Sequence, residues 1–507
     1  MATAKIHSAT SYGFEGRLIE VECDTARGLP SLSIVGLGNK AIDEAKERVR
    51  SAIKNSGFDF PTQKITVNLA PADLPKDGAH LDLSIAIAIM SVSGQLAQRS
   101  INKILLAGEL GLNGELRPIR GVINLAEVAQ KHGFSEIIVP FQNARQAAMV
   151  QELPVIGVRN LRDVYLHLIG EKRLPPAEYR AQTQRSSSAV DMADIVGQQR
   201  AKRALVIAAA GGHNLLLSGP PGAGKTMLAK ALAGILPEPE YHESLEITKI
   251  HSMAGEIGGG IQTIRPFRSP HHTASVVSLI GGGSKATPGE ISLAHRGVLF
   301  LDELPEYPRS VLESLRQPLE DGVVHISRAE RRTTYPANFI LVATQNPCPC
   351  GYYSDQENEC SCTLQQITNY QKRVSGPLLD RIDMLLDVGR VSEEDLLRER
   401  STPDESPGIQ SNIRLVRKRQ FDRYKKQKTN GDISSKNIAS TTLLTDEAAL
   451  FLNNASKNLK LSARTYFRLI KVARTIADLE NSMRVESSHV AEALQYRHRD
   501  DRNSMRP

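Results

Sequence analysis

The sequence predicts two α/β domains followed by an all-helical one, and three observations carry that prediction. Short β-rich runs ("RLIEVECD", "SLSIVGL", "KITVNLA", "EIIVP") alternate with helical stretches such as "NKAIDEAKERVRSAIKNSG" over residues 1–170. The alternation resumes over residues 191–390, where a glycine-rich turn stands between a strand and a helix. Residues 391–507 then carry helical periodicity alone, clearest in "ARTYFRLIKVARTIADLE". Between the two α/β domains, residues 171–190 ("EKRLPPAEYRAQTQRSSSAV") replace periodicity with proline, serine and charge and read as a linker.

The bulk numbers fit this plan. A chain of 507 residues is too long for one core. Apolar content of 40 % with 23 % charged residues excludes a fibre or a disordered chain, and the formal charge of +7 points to a polyanionic partner wherever the cations cluster. The start, "MATAKIHSATSYGFEGR", lacks the apolar run of a secretory signal, and "LDLSIAIAIMSVSG" is too short and too dotted with serine to cross a bilayer. The expected setting is the cytoplasm, with no membrane partner. The five cysteines are expected there as thiols or metal ligands rather than disulfides.

In the first domain, "PKDGAHLD" places Lys76, Asp77, His80 and Asp82 within seven residues around Gly78, the outline of an active site. No nucleophile follows at a recognisable spacing, which weighs against an Asp–His activity.

The second domain opens a nucleotide site. "NLLLSGPPGAGKTMLAKAL" is a buried strand, then Gly219, Pro220, Pro221, Gly222, Ala223, Gly224, Lys225 and Thr226, then a helix. Glycines let successive backbone N–H groups aim at phosphate oxygens, and the helix N-terminus adds partial positive charge. Lys225 is placed to reach the β- and γ-phosphates of ATP and Thr226 to bind Mg²⁺. "GVLFLDELPE" supplies the partner strand: Asp302 to hold magnesium through water and Glu303 to polarise the attacking water. The next apolar strand, "FILVATQNP", ends near Asn346, placed to hold that water. "SGPLLDRIDMLLDV" presents Arg381 and "LSARTYFRL" presents Arg464. Alone, either arginine would pass for a surface salt-bridge partner.

This order of phosphate loop, acid pair, polar sensor, late arginine and helical-lid arginine resembles the AAA+ ATPases. "DIVGQQRAKRAL" is similar to their adenine-side segment, with Ile195 and Val196 beside the base. The resemblance implies that Arg381 acts on a neighbouring subunit's ATP, hence a ring, most often of six; Arg373 is a rival for that role. Two insertions sharpen the resemblance. "GEIGGGIQTIRPFRSPHHTASVVSLIGGGSKATPGEISLAHRG" lies between the phosphate loop and the acid pair, and "DGVVHISRAERRTTYPANF" reads as two strands with a basic tip. With "GPLLDRID" and "ARTIADL" they are similar to the magnesium-chelatase-like branch, over nearly the whole chain, and above all to the bacterial ComM/YifB proteins. That resemblance implies a homo-hexameric ATP-driven helicase that extends recombination branches in natural transformation. Its implied partners are single-stranded and branched DNA and a recombinase or other recombination proteins.

In such motors cations line a central pore. Here the matching positions are Arg328, Arg331 and Arg332 at the hairpin tip and Arg265, Arg268, His271 and His272 in the first insertion. Phosphate contacts of this kind bind without sequence preference and weaken with salt. A solvated charged hairpin is the plain alternative. "RLVRKRQFDRYKKQK", Arg414 to Lys428, reads as a helix docked through Leu415, Val416, Phe421 and Tyr424 with a basic outer face, either merely soluble or against DNA.

The N-terminal domain resembles the protease domain of Lon, in a fold shared with the terminal domain of the RadA recombination protein. Where Lon has its nucleophilic serine this chain has His80, and where Lon has its lysine this chain has Ile123, so neither half of the catalytic pair is present. The resemblance implies a ring-building or DNA-binding scaffold. Chelatase motors, the competing reading, remodel an enzyme that inserts Mg²⁺ into a porphyrin, and they are expected to lack this leading domain.

Finally, "NPCPCGYYSDQENECSC" gives Cys348, Cys350, Cys360 and Cys362, two Cys-x-Cys pairs across a nine-residue loop. Four thiolates could close a tetrahedral Zn²⁺ site. Reduced unliganded thiols and a redox switch are the alternatives.

Overall fold

The first two strands set the frame of the N-terminal domain. In this computed structural model β1 (Thr3–Tyr12) and β2 (Glu15–Ala26) pair antiparallel from Thr3↔Asp24 to Tyr12↔Glu15. Ala4 and Ile6 point inward and Lys5 outward, the period-2 alternation of a sheet with a buried face. The structure describes residues 3–36, 39–72, 74, 76, 78–179, 190–257, 260–283, 286–328, 331–353, 355, 357–391 and 405–497. With β3 (Ser31–Val35), β4 (Lys64–Ala70), β5 (Ile104–Leu106), β6 (Glu136–Pro140) and β7 (Val155–Val158) the hairpin makes a seven-stranded mixed sheet in the order β3-β4-β2-β1-β5-β6-β7. One face is covered by α1 (Asn39–Asn55), α2 (Asp82–Val92) and α5 (Leu161–Ile169), the other by α3 (Val122–Lys131) and α4 (Phe141–Ala147). The apolar run containing "IAIAIM" is α2, buried on all sides, the fate of an apolar helix too short to span a bilayer. Among the described residues no helix is long and apolar enough to cross a membrane.

The second domain is a parallel sheet between helices. β8 (Leu215–Ser218), β9 (Phe267–Arg268), β10 (Val298–Leu301), β13 (Ile340–Gln345) and β14 (Met384–Asp387) lie in the order β9-β10-β13-β8-β14. Every residue of β8, β10 and β13 is buried, as strands covered on both faces require. α6 (Gln199–Gly211), α7 (Lys225–Ile235) and α8 (Tyr241–Ala254) belong to this domain. The predicted hairpin is present as β11 (Val323–Arg328) and β12 (Arg331–Pro336), which stand outside the main sheet. Val324, Ile326 and Tyr335 root it in the core below.

The third domain packs α9 (Ser406–Tyr424), α10 (Asp446–Asn458), α11 (Ala463–Leu479) and α12 (Ser487–Gln495) onto α6, sharing one apolar cluster with the parallel sheet. Its polar anchors are buried. Arg417 donates to Ala209 O at 3.1 and 2.6 Å and Gln420 to Ala210 O at 3.2 Å, closing the unpaired carbonyls at the end of α6. The reading of residues 414–428 holds for Val416 and Tyr424, which pack on this cluster, and is corrected in the rest. Leu415 is 58 % exposed, Ile413 and Val416 make the apolar contact, and Arg417 and Arg423 turn inward, so the outer face is less basic than its composition.

The N-terminal domain meets the second one along α8. Lys249 Nζ lies 2.5 Å from Glu127 Oε2 and 4.2 Å from the centre of the Phe14 ring, and Gly121 N donates to Ser252 Oγ at 3.1 Å. The first half of the expected linker is also docked: Ala177 N donates to Val155 O at 2.7 Å, and the rings of Tyr179 and Tyr241 meet edge-on at 5.5 Å. Residues 180–189 lie outside the described ones.

Asp478 holds the helical domain together, accepting from Arg423, from Arg474 at 2.8 Å and from Asn430 at 2.9 Å while almost fully buried. Asp478→Ala strands two guanidinium groups in that core and is expected to destabilise the domain by about 3–5 kcal/mol, measured as an earlier denaturant-induced loss of helical circular dichroism.

Candidate functional site

The end of β8 and the start of α7 build a phosphate cradle. Gly219 is demanded by close approach, since a Cβ there would lie 2.1 Å from Val388 O. Gly224 caps α7 with φ at 78°, a conformation that turns the chain so that the first amides of the helix point into the loop. Pro220, Pro221, Gly222 and Ala223 form the loop between them. Lys225 Nζ donates to Gly219 O at 2.7 Å, Pro220 O at 2.9 Å and Asn346 Oδ1 at 3.1 Å. Burial lowers the pKa of this ammonium, and the charges of Asp302 and Glu303 oppose that shift.

The acid pair and the polar sensor reach the same edge. Thr226 Oγ1 donates to Asp302 Oδ2 at 3.4 Å, so a hydroxyl and a carboxylate stand together as the oxygen donors a Mg²⁺–triphosphate needs. Glu303 adopts left-handed backbone geometry (φ 53°), with its side chain exposed and its N–H donating to Thr344 Oγ1 at 2.9 Å. The same hydroxyl donates to Asp302 Oδ1. Thr344 therefore sets the mutual position of both acids, and sequence reasoning passed over it; its signal was a polar residue inside the apolar strand that leads to Asn346. Gln198 was also missed. Its Nε2 donates to Ala223 O at 3.0 Å and Gly389 O at 3.3 Å, tying the adenine-side segment to the loop. Of the two residues expected beside the base, Ile195 is buried in the core and Val196 is half-buried.

Arg381 and Arg464 lie together about Glu320, away from the phosphate loop of their own chain. Arg381 donates to Arg316 O at 3.0 Å, to Pro377 O at 2.9 Å and to Glu320, and Arg464 lies 3.9 Å from the other oxygen of Glu320. They line a cleft of about 650 Å³ with Arg296, Arg468, Lys471 and Lys428, and no phosphate-loop residue lines it. Arg373 keeps different company: it donates to Glu306 Oε2 at 2.9 Å, close in sequence to the acid pair of its own chain.

Of the cations assigned to DNA, two are held by carboxylates of this chain. Arg265 is half-buried, its side chain 8 % exposed and ion-paired with Glu243 at 2.5 Å, donating also to Pro237 O and Arg296 O. Arg268 lies in edge strand β9, held by Glu290 at 2.7 Å and Glu256 at 3.1 Å. Their carboxylate partners follow or precede them at distances that sequence does not announce. The rings of His271 and His272 meet tilted by 35°, centres 4.0 Å apart, with His271 exposed. Arg328 and Arg331 are partners at the hairpin tip and Arg332 is exposed; the side chains of Arg328 and Arg331 are outside the description.

"PKDGAHLD" is structural where it is described. Lys76 is buried with its ammonium donating to Pro71 O and to Leu74 O at 3.2 Å. Asp82 receives two hydrogen bonds from Arg48, at 2.7 and 3.2 Å, yet burial keeps its pKa up at about 6. His80 lines a cavity of about 360 Å³ between the first two domains, Ile123 is fully buried in α3, and Asp77 lies outside the described residues.

The four cysteines converge. All four sulfurs lie within 4.8 Å of one another, unbridged, with Cys348 buried.

Residues 191–396 match the sequence family described as magnesium chelatase, subunit ChlI; residues 21–143 match subunit ChlI of Mg-chelatase; residues 403–497 match its C-terminal part. The competence protein ComM of Haemophilus influenzae is 44 % identical over 98 % of both chains. YifB of Escherichia coli K12 is 43 % identical over 98 % of this chain and 97 % of its own. The magnesium-chelatase 67 kDa subunit of Chlorobaculum tepidum is 31 % identical over 30 % of this chain and 23 % of its own. The match over residues 21–143 removes the expectation that the leading domain separates this chain from chelatase motors.

Three substitutions test the site. Lys225→Ala is expected to abolish nucleotide binding, and Glu303→Gln to bind ATP while hardly hydrolysing it. Thr344→Val is expected to leave binding nearly intact and lower turnover by about 10²-fold, because it frees both acids to shift. Equilibrium binding and phosphate release measure all three.

Proposed function

Because the chain belongs to the ComM/YifB family of magnesium-chelatase-like AAA+ ATPases, we propose that it is an ATP-driven DNA motor acting as a homo-hexameric ring. The observation that carries the ring is the separation of the site into two halves. The phosphate loop, acid pair and sensor occupy one edge, while Arg381 and Arg464 share a cleft lined by none of them. A triphosphate completes its contacts only when a second copy presents that cleft. Glu320 holds Arg381 meanwhile, and a bound γ-phosphate would draw the guanidinium away.

In the proposed reaction a water held by Asn346 attacks the γ-phosphorus while Glu303 takes its proton. The new P–O bond forms as the bond to the β–γ bridging oxygen breaks, releasing ADP and phosphate. Thr226 and Asp302 would hold Mg²⁺, Asp302 through water, and the ion would supply charge neutralisation at the phosphates. Lys225 leaves its resting partners to follow the γ-phosphate, and Arg381 from the neighbour stabilises the transition-state charge.

The relative's name, competence protein, supports a DNA-related role; we take single-stranded or branched DNA in the cytoplasm as the substrate, with a recombinase or other recombination proteins as partners. Hairpin β11–β12, with arginines at its tip, is the element proposed to grip the backbone, together with His271 and His272. The N-terminal domain is taken as a scaffold of the Lon kind without proteolysis, and Zn²⁺ as the occupant of the four-cysteine cluster. A chelatase-type remodelling motor is the second reading, favoured by the three family matches. The match to ComM over the full chain outweighs it, since the chelatase subunit aligns over less than a third of this one.

DNA is expected to stimulate ATP hydrolysis, with the stimulation falling steeply between about 50 and 200 mM salt as phosphate contacts are lost. ATPase assays across salt, with forked and branched substrates scored for unwinding, measure this; indifference to DNA would favour the remodelling motor. Arg381→Ala is expected to lower turnover by about 10³-fold or more while leaving nucleotide binding in place. Near-normal hydrolysis by that variant removes its assignment.

A further inference from the structure

The cysteine cluster is built against the phosphate loop. Its sulfurs stand 3.3 Å (Cys348–Cys350), 3.5 Å (Cys350–Cys360) and 3.7 Å (Cys348–Cys360) apart. Four thiolates at about 2.3 Å from one zinc ion stand about 3.8 Å from one another. A disulfide would bring two of them to about 2.05 Å. The observed spacing is therefore that of a ligand set drawn round a common centre. Tyr353 N donates to Cys348 Sγ at 3.3 Å, the kind of outer hydrogen bond that orients a metal thiolate.

Three contacts join this knuckle to the nucleotide site. Gly351, at φ 89°, packs so closely on the phosphate loop that a Cβ there would lie 2.5 Å from Pro221 Cδ. Cys348 follows Asn346 by two residues, and Asn346 Oδ1 is the side-chain acceptor of Lys225. Arg390 binds Asp355 at 3.4 Å and Glu357 at 3.0 Å, tying the knuckle's loop to the segment next to Gly389, which Gln198 joins to Ala223. The chain between the cysteine pairs has no regular secondary structure to stiffen it where it is described, so its shape depends on what the sulfurs hold.

Resting on the reading that the cluster holds Zn²⁺, we propose that this zinc centre is a clamp on the phosphate loop. It presses Gly351 onto Pro221 and holds Asn346 at Lys225. Metal occupancy then governs nucleotide binding and turnover, and the domain keeps its fold without it. The parallel sheet and its apolar core lie outside the knuckle and do not need the ion.

The test uses the full-length protein purified without added zinc. Elemental analysis is expected to give about one zinc per chain. A thiol-reactive agent followed by a chelator releases it, a chromogenic dye counts the release, and thiols are then restored with a reductant. With Mg²⁺ resupplied, the stripped protein is expected to keep its far-ultraviolet circular dichroism, to bind a fluorescent ADP analogue more weakly and to lose turnover by about 10²-fold, recovering on addition of Zn²⁺. Gly351→Ala is expected to keep its zinc and still lose nucleotide affinity, because the added methyl displaces Pro221. Active protein with no zinc overturns the metal reading itself. Zinc present at full occupancy, with binding and turnover unchanged after removal, overturns the clamp alone. If stripping unfolds the chain, Gly351→Ala decides: normal nucleotide binding by that variant overturns the clamp.

Discussion

The parallel register of three neighbouring strands is the constraint on which the nucleotide site depends. Leu301 of β10 pairs with Ala343 of β13, and Ser218 of β8 with Gln345 of the same strand. The phosphate loop, the acid pair and Asn346 follow those strand ends, so one register delivers them to one edge of the sheet, where ligands of open parallel sheets bind. Because side chains alternate between faces, a one-residue slip would turn each strand's buried set over. The complete burial of β8, β10 and β13 resists that slip, and the hydroxyl of Thr344, inside the central strand, converts the register into a fixed spacing of Asp302 and Glu303.

Around this edge the other domains are attached by buried charge as much as by apolar contact. The helical domain closes the end of α6 with Arg417 and holds its own interior with Asp478. Asp383, buried between the parallel sheet and the helical domain, accepts from Asn214 N at 2.9 Å and from Arg468. The N-terminal domain rests on α8, which begins a few residues beyond the end of α7, so the helix that opens at Lys225 leads almost directly into the interdomain contact. Such pairs tolerate little loosening, since breaking one leaves an uncompensated charge in low dielectric. That gives the three domains a defined mutual placement, with the Arg381 cleft lined from both the second and the third.

Much of this was legible in the chain itself because its chemistry is local. A phosphate loop needs consecutive amides and two or three glycines in one turn, a catalytic acid pair needs two adjacent residues, and a hairpin with a basic tip needs only a dozen residues of alternation. The mixed α/β character and the helical C-terminal region followed from periodicity for the same reason, each helix or strand being a property of a short window. The cysteine pairs were visible, and so was their power to converge.

What only the tertiary structure decided are matters of partnership across distance. Composition counted Arg265, Arg268, Arg417 and Arg423 as surface cations, and the fold turned them toward Glu243, Glu290, the carbonyl of Ala209 and Asp478. It gathered Arg381 and Arg464 about Glu320 and away from the phosphate loop, and it set Gly351 on Pro221. A residue's type states which bonds it is able to make. Which bond it does make depends on the carboxylate, carbonyl or ring that packing brings within reach, and packing is a property of the whole chain.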